Sequence, residues 1–308
     1  MTPAVSTPWW ISLSSTAIRT LPFGRYQVAN AIARVARRPF VARMPLDLGG
    51  ASFICDLQDT ISREVCLTGR YEPQETQLAL HLLQPGMTVV DVGANWGYFT
   101  LACAHVVGAA GRVLALEPHP RLMAMLSENV RVNGLSQVEP LMMAAGAGAG
   151  RRGFIAFDER GGNWGLTRTA QPAEAADFDS EITTIDALID ERRWPHVDLL
   201  KMDIEGAEAE ALTGMAGGFA RRRYRFVLLE CHPAQITAAG ATMEECLAIF
   251  DRAGYRAWHI DHSAAMHRRA AAGAVSLEEL LAPVDWRALR ADPWPHLLFA
   301  APDEGPPA

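Results

Sequence analysis

The segment VVDVGANWGYFT, residues 89–100, constrains the fold more than any other stretch of the chain. Val89, Val90 and Val92 around Asp91 read as a short strand buried on both faces. Gly93 then opens a tight turn, and Gly97 permits close packing where a helix begins. A second apolar strand within GRVLALEP, residues 111–118, carries Glu117 to its carboxyl end. A carboxylate at the tip of a neighbouring strand can accept hydrogen bonds from both hydroxyls of a ribose, so the two strands describe a crevice for a nucleoside-containing ligand.

The rest of the chain keeps the same alternation. Strands are predicted over 87–93, 111–118, 138–144, 197–203, 224–231, 255–260 and 296–300, and helices over 73–83, 97–108, 120–132, 207–214 and 242–253. Short apolar strands separated by helices require an α/β fold with a doubly wound sheet covered on both faces. Before them, ASFICDLQ and TISREVCL read as short strands or an irregular β-rich cap. Three parts are expected: a basic extension over 1–50, a β-rich cap and leading helix over 51–86, and the α/β domain over 87–303, interrupted at 145–180 by a loop excursion rich in glycine and alanine. Within that excursion Trp164, Asn163 and Arg168 offer a flat face and polar groups for a sugar, and Gly161 and Gly162 let the loop reposition; the competing reading makes Trp164 a simple anchor.

The ligand is narrowed by what the turn lacks. A dinucleotide fingerprint needs glycine where the chain has Asn95 and Tyr98, and no GK[ST] ending grips a nucleotide phosphate. A nucleoside cofactor without a pyrophosphate fits better. S-adenosylmethionine has a ribose for Glu117, a carboxylate for the exposed amides of the turn, and a sulfonium for Asp91.

Two further strand ends carry polar machinery. In LLKMDIEGAE, residues 199–208, Lys201 is the only lysine among 28 basic residues, and Asp203 and Glu205 follow at the strand exit. Lys201 either serves the reaction or closes a buried ion pair, and Glu208 reads as a helix-start acid. In RFVLLECHP, residues 225–233, Glu230 and His232 lie on one side of a strand and can orient a hydroxyl and take its proton, or cap the core. Asp203 is the first choice of base, with Glu205, Glu230 and His232 as alternatives. The remaining histidines show no ligand spacing, so no metal is expected.

Composition sets the partners. A net charge of −7 argues against nucleic-acid binding by the whole surface, and no apolar run is long enough for a transmembrane helix. The five cysteines are widely spaced and odd in number, which reads as a reduced set and, with no secretory signal, as a cytoplasmic protein. Residues 1–50 carry Arg19, Arg25, Arg34, Arg37, Arg38 and Arg43 against the single acid Asp47, a candidate surface for peripheral contact with an anionic membrane or a protein. The oligomeric state is open.

Taken in order, Gly69-Arg70-Tyr71-Glu72, PGMTVVDVGANWGYFT, RVLALEPHP, ENVRVNG, TTIDAL, LLKMDIEGAE and LLECH resemble the FkbM family of S-adenosylmethionine-dependent methyltransferases. The resemblance covers roughly residues 60–235. It implies a Rossmann-like methyltransferase sheet, commonly ordered 3-2-1-4-5-7-6 with an antiparallel final strand, preceded here by the N-terminal cap. It implies O-methylation of a hydroxyl on a sugar, glycan or secondary metabolite. It carries Asp91, Gly93, Asn95, Gly97 and Glu117 to cofactor-binding positions, places Tyr71 and Glu72 over the cofactor, and groups Lys201, Asp203 and Glu205 in a lysine-acid block. The alternative from a different class is a noncatalytic cofactor-binding or docking protein that keeps the fold.

Overall fold

The computed structural model describes residues 5–20, 25–36, 38–157, 162–171, 174–273, 275–284, 289 and 292–305. Gly161 of the proposed sugar loop and Arg37 of the basic extension lie outside these residues.

Eight strands form the central sheet: β1 (Thr88–Val92), β2 (Arg112–Leu116), β3 (Val138–Leu141), β4 (Val197–Met202), β5 (Tyr224–Glu230), β6 (Arg256–Ile260), β7 (Leu281–Pro283) and β8 (His296–Ala300). From edge to edge the order is β7-β6-β8-β5-β4-β1-β2-β3. With the short edge strand β7 set aside, and β8 counted as the seventh, this is the expected order 3-2-1-4-5-7-6. Strands β1 to β5 pair in parallel, whereas β8 runs antiparallel to both β5 and β6. The order reverses between β1 and β4, and that switch point opens the crevice at the strand ends.

Burial explains the composition of these strands. Every residue of β1, β4 and β8 is buried, so the sheet needs apolar side chains on both faces. One face packs on Leu188, Leu212, Phe219 and Phe250, and the other on Leu78, Phe99, Cys103 and Leu126. Helix Pro120–Val132 begins at a proline in its first turn, after His119 has accepted the Arg121 N–H as cap.

A third cluster joins the N-terminal region to the glycine turn. Ile11, Ile18, Ala33, Phe40 and Phe53 pack with Trp96, Leu101 and Trp164. Phe40–Arg43 pairs antiparallel with Ser52–Cys55 across the expected division at residue 50, so the cap draws on both parts. Asn129 is fully buried and fastens this cap: its Oδ1 accepts the Ile54 N–H at 2.8 Å while its Nδ2 donates to the Trp96 carbonyl at 2.9 Å.

Three expectations are corrected. TISREVCL is not strand material: Thr60–Thr68 is a helix, with Asp59 accepting the Ser62 N–H as its N-cap. The 145–180 excursion is largely ordered as a second sheet, in which Phe178–Thr183 pairs parallel with Met143–Ala145 and antiparallel with Gly150–Ile155. Cys55 and Cys66 form a disulfide with Cα atoms 6.2 Å apart, so the cysteines are not all reduced and that ground for a cytoplasmic location falls away. Cys103, Cys231 and Cys246 are free and buried. Among the described residues no helix is long and apolar enough to cross a membrane.

Candidate functional site

A single cleft at the carboxyl ends of β1, β2, β4 and β5 is lined by Tyr71, Glu72, Asp91, Gly93, Asn95, Glu117, Lys201, Asp203, Glu205 and His232. The fold therefore brings together every expected cofactor or catalytic residue except Gly97, which is the N-cap of helix Tyr98–Val107 and not part of the lining.

The cofactor side is built on β1 and β2. Asp91 is 1% exposed; its Oδ2 accepts from the Thr100 hydroxyl at 2.5 Å, while its Oδ1 is buried without a hydrogen-bond partner. Such an orphaned carboxyl oxygen fits a donor or a positive charge, which the ammonium or sulfonium of S-adenosylmethionine would supply. Glu117 accepts main-chain N–H groups of Asn95 at 2.9 Å and His119 at 2.8 Å, which ties the turn after β1 to the end of β2. Burial pushes its carboxyl up to about 7, against the lowering effect of those two bonds.

Glycine is required at the turn by close packing. At Gly93, φ is +84° and a Cβ would lie 2.0 Å from the Asp203 carbonyl oxygen, so the backbone of the next loop occupies its place. A Cβ on Gly97 would meet Leu126 Cδ1 at 2.5 Å, the close helix packing expected there. Glu72, Asn95 and Glu205 are non-glycine residues in the left-handed region, with φ of 41°, 52° and 50°. All three line the cleft, where such costly conformations concentrate.

The opposite side is an ion cluster. In the β1–β4 register Lys201 stands opposite Asp91, and its Nζ lies 3.3 Å from Asp203 Oδ2 and 3.6 Å from Glu72 Oε2. Burial alone would favour the neutral amine, but Glu72, Asp203, Asp91 and Glu230 together hold the ammonium well above its usual value. Asp203 is opposed by burial as well, yet Lys201 and then His232 keep its carboxyl below the ordinary range.

His232 is 2% exposed, and its Nδ1 pairs with Glu208 Oε1 at 2.7 Å. Its Nε2 faces Glu230 at 3.5 Å, Glu205 at 3.6 Å and Asp203 at 3.9 Å. Burial lowers its affinity for a proton, but the Glu208 bond and the neighbouring carboxylates raise it to about 9. Burial, then Asp203 and Glu72, push Glu230 up to about 11, and burial brings Glu205 to about 7. Glu208 is thus no simple helix-start charge: it is fully buried and orients His232.

The sugar loop is corrected. Trp164 is 2% exposed and stacked between Trp96 and Phe157, at 5.6 Å and 5.3 Å, with the Arg121 guanidinium 3.9 Å from its ring centroid. It anchors the loop, while Asn163 and Arg168 do line the cleft. The accessible flat face belongs to Trp294, 56% exposed at the cleft wall, a residue with no local sequence signal. Glu75 is the other residue missed: it is buried, and its Oε1 contacts both His262 Nε2 and His296 Nδ1.

The Methyltransferase FkbM domain model matches residues 91–257, which run from the end of β1 into β6 and include Asp91, Glu117, Lys201, Asp203 and His232. The chain belongs to the FkbM methyltransferase family. FkbM membership supports S-adenosylmethionine-dependent methyl transfer as the reaction class, with S-adenosylmethionine as cofactor. A second family model, protein-L-isoaspartate(D-aspartate) O-methyltransferase, matches residues 19–158. Protein-L-isoaspartate O-methyltransferase 1 of Arabidopsis thaliana is 37% identical over 136 residues, covering 42% of this chain and 55% of that protein. Methyltransferase sdnD of Sordaria araneosa is 30% identical over 155 residues, covering 41% of this chain and 60% of that protein. The chain spans about half the length of these curated relatives. Among solved structures, methyltransferase FkbM from Methylobacillus flagellatus aligns with 92% of this chain and 62% of its own, at 17% identity and a TM-score of 0.43.

Proposed function

We propose that this FkbM domain transfers the methyl group of S-adenosylmethionine to a hydroxyl oxygen of an uncharged polar acceptor, a sugar, glycan or secondary metabolite. The observation that carries this reading is the cluster of Glu72, Asp203, Glu205 and Glu230 around Lys201 and His232, on the same cleft as Glu117. Lys201 and His232 are already paired with these acids and with Glu208, which leaves neither for an anionic acceptor, while carboxyl oxygens accept from hydroxyl donors.

Bound S-adenosylmethionine would supply an activated methyl group, passed to the acceptor oxygen with S-adenosylhomocysteine as the leaving thioether. The chain has to align the oxygen, exclude water and take the hydroxyl proton. Asp203 is committed to Lys201, and His232 to Glu208. Glu205 makes only a 3.5 Å contact from Gln235 and a 3.6 Å approach to His232, so its carboxylate is free to take the proton. Tyr71 and Glu72 close over the cofactor in this reading, Asn95 presents its main chain to it, and Lys201 orients Asp203. Trp294 supplies the stacking face for a ring.

The isoaspartate relatives suggest a second reading, methylation of a protein carboxylate. Their family match ends at residue 158, before Asp203, Glu205 and Glu230, so likeness to them stops short of the acids that favour a neutral acceptor. Exposed Trp9, Leu13 and Val35, beside Arg34, support the N-terminal region as a docking surface. The test is transfer of labelled methyl from S-adenosylmethionine to a glycan and metabolite extract, with an isoaspartyl peptide in parallel. Base-stable label in small molecules or glycans is expected. Label in the peptide alone would move the assignment to the carboxylate, and cofactor binding without transfer to either would favour a noncatalytic role.

A further inference from the structure

We propose that Asp203, Glu230 and His232 form a site for one divalent first-row transition-metal cation on the acceptor side of the cleft. One ligand atom from each of these residues lies within 4.8 Å of the others. His232 Nε2 is 3.5 Å from Glu230 Oε1 and 3.9 Å from Asp203 Oδ1. A cation with bonds of about 2.1 Å sets neighbouring ligand atoms roughly 3 to 4 Å apart, so these gaps are too long for good hydrogen bonds and right for a shared ion.

The second observation is the preparation of the histidine. Glu208, fully buried, takes the Nδ1 side of His232 at 2.7 Å and is itself held by the Gly206 N–H at 3.1 Å. A carboxylate on Nδ1 fixes the tautomer and ring orientation and leaves Nε2 as the ligating atom, the arrangement that supports metal-bound histidine. His232 is 2% exposed, and its Nε2 is aimed at the carboxylates of Glu230 and Asp203. Formal charge points the same way: the five acids Glu72, Asp203, Glu205, Glu208 and Glu230 face the ammonium of Lys201 and the imidazoles of His232 and His296, fewer basic groups than acids. The sulfonium of a bound cofactor adds a single positive charge. Two carboxylates and one imidazole suit manganese, iron or zinc better than calcium, which takes oxygen ligands alone.

The second buried cluster differs. Glu75 Oε1 contacts His262 and His296 directly, and their rings stack with centroids 3.6 Å apart, so protein contacts fill the space a cation would need. At Asp203, Glu230 and His232 the open coordination positions would face the acceptor and take up its oxygens. That role rests on the methyl-transfer reading; cation binding does not.

The full chain, stripped with chelator and free of cofactor, is titrated with Mn²⁺ while free ion is followed by electron paramagnetic resonance. One saturable site per chain is expected, with an imidazole nitrogen coupling in the pulsed spectrum. Glu230→Gln and His232→Asn should each weaken binding at least about tenfold, and Glu208→Gln, a positioning change, by about 10- to 100-fold. His262→Asn should leave binding unchanged. Absence of saturable uptake, absence of nitrogen coupling, or loss that follows His262→Asn instead would overturn the site. If the variants fail to fold, the number of coupled nitrogens in the wild-type chain decides: one imidazole fits His232, and two would place the ion at His262 and His296 and overturn the site. A chain that transfers methyl but binds no Mn²⁺ rejects the metal and keeps the reaction; one that binds Mn²⁺ through nitrogen without transferring methyl keeps the site and rejects the reaction.

Discussion

Truncating Glu117 tests the cofactor half of the site most directly, because its carboxylate has two separable duties. In the absence of ligand it accepts the Asn95 N–H at 2.9 Å and the His119 N–H at 2.8 Å, from a position only 4% exposed. Glu117→Ala leaves both donors without an acceptor, a loss of about 1 to 3 kcal/mol for each that stays dry. It also removes the charged acceptor from the ribose hydroxyls, worth about 2 kcal/mol or about 30-fold in affinity. Glu117→Gln keeps one acceptor but sets an amide N–H against the other main-chain donor, so it should fall between. The assay pairs calorimetric titration of S-adenosylhomocysteine with thermal unfolding of the same samples. A lower melting temperature with unchanged affinity would show that Glu117 only fastens the turn, and would refute the ribose assignment. A pH series adds an independent arm: with the carboxyl at about 7, the charged acceptor is present above that pH and lost below it. Cofactor affinity should therefore decline as pH falls through 7, and Glu117→Gln should flatten the decline.

Glu205→Gln should lower the rate of methyl transfer by about 10²- to 10⁴-fold while cofactor affinity stays within a few-fold, measured by single-turnover transfer and calorimetry; near-normal turnover would remove it as the proton acceptor. Trp164→Ala should cost about 3 to 5 kcal/mol in denaturant unfolding because it empties the stack between Trp96 and Phe157, whereas a surface sugar platform would lose acceptor affinity with stability intact. His262 is raised above its ordinary value: burial opposes this, but Glu75 outweighs it, with Glu72 and Asp292 adding to it and the His296 ring stacked alongside. Glu75 is also lowered by His296 and His262 against burial, so the pair's stabilisation is fully present between roughly 4.5 and 6.5. It is lost as pH rises through the folded value of His262, and again as pH falls through that of Glu75. Melting temperatures of the wild-type chain and His262→Asn should converge at alkaline pH, and parallel curves would contradict the linkage.

Legibility in the sequence followed the range of the interactions. The alternating strands and helices are readable because parallel strands buried on both faces must be short apolar runs, and Gly93, Gly97 and Pro233 punctuate them locally. Helix Thr60–Thr68 is not, since β-branched Thr60, Ile61 and Val65 imitate a strand, although Ile61, Ser62, Val65 and Cys66 are buried at helical spacing and Asp59 stands three residues before Ser62. Trp164 and Trp294 look equally free as letters; stacking on Trp96 hides one, and the other remains at the cleft wall.

The hardest residues to foresee were those that reach the cleft through the reversed strand β8. A parallel strand beside β5 would bring its last residue, Ala300, to the carboxyl edge where the cleft opens. Because β8 is antiparallel, it instead begins there, and the register sets His296 opposite Glu230. The preceding Trp294 is thereby carried to the cleft wall, and His296 Nδ1 meets Glu75 at 2.8 Å on a helix far earlier in the chain. His296 Nε2 stands 3.6 Å from Glu230 Oε1, so the strand reversal links the Glu75 cluster to the acids facing His232. One choice of strand direction thus determines both the outer wall of the cleft and the polar support behind its acids.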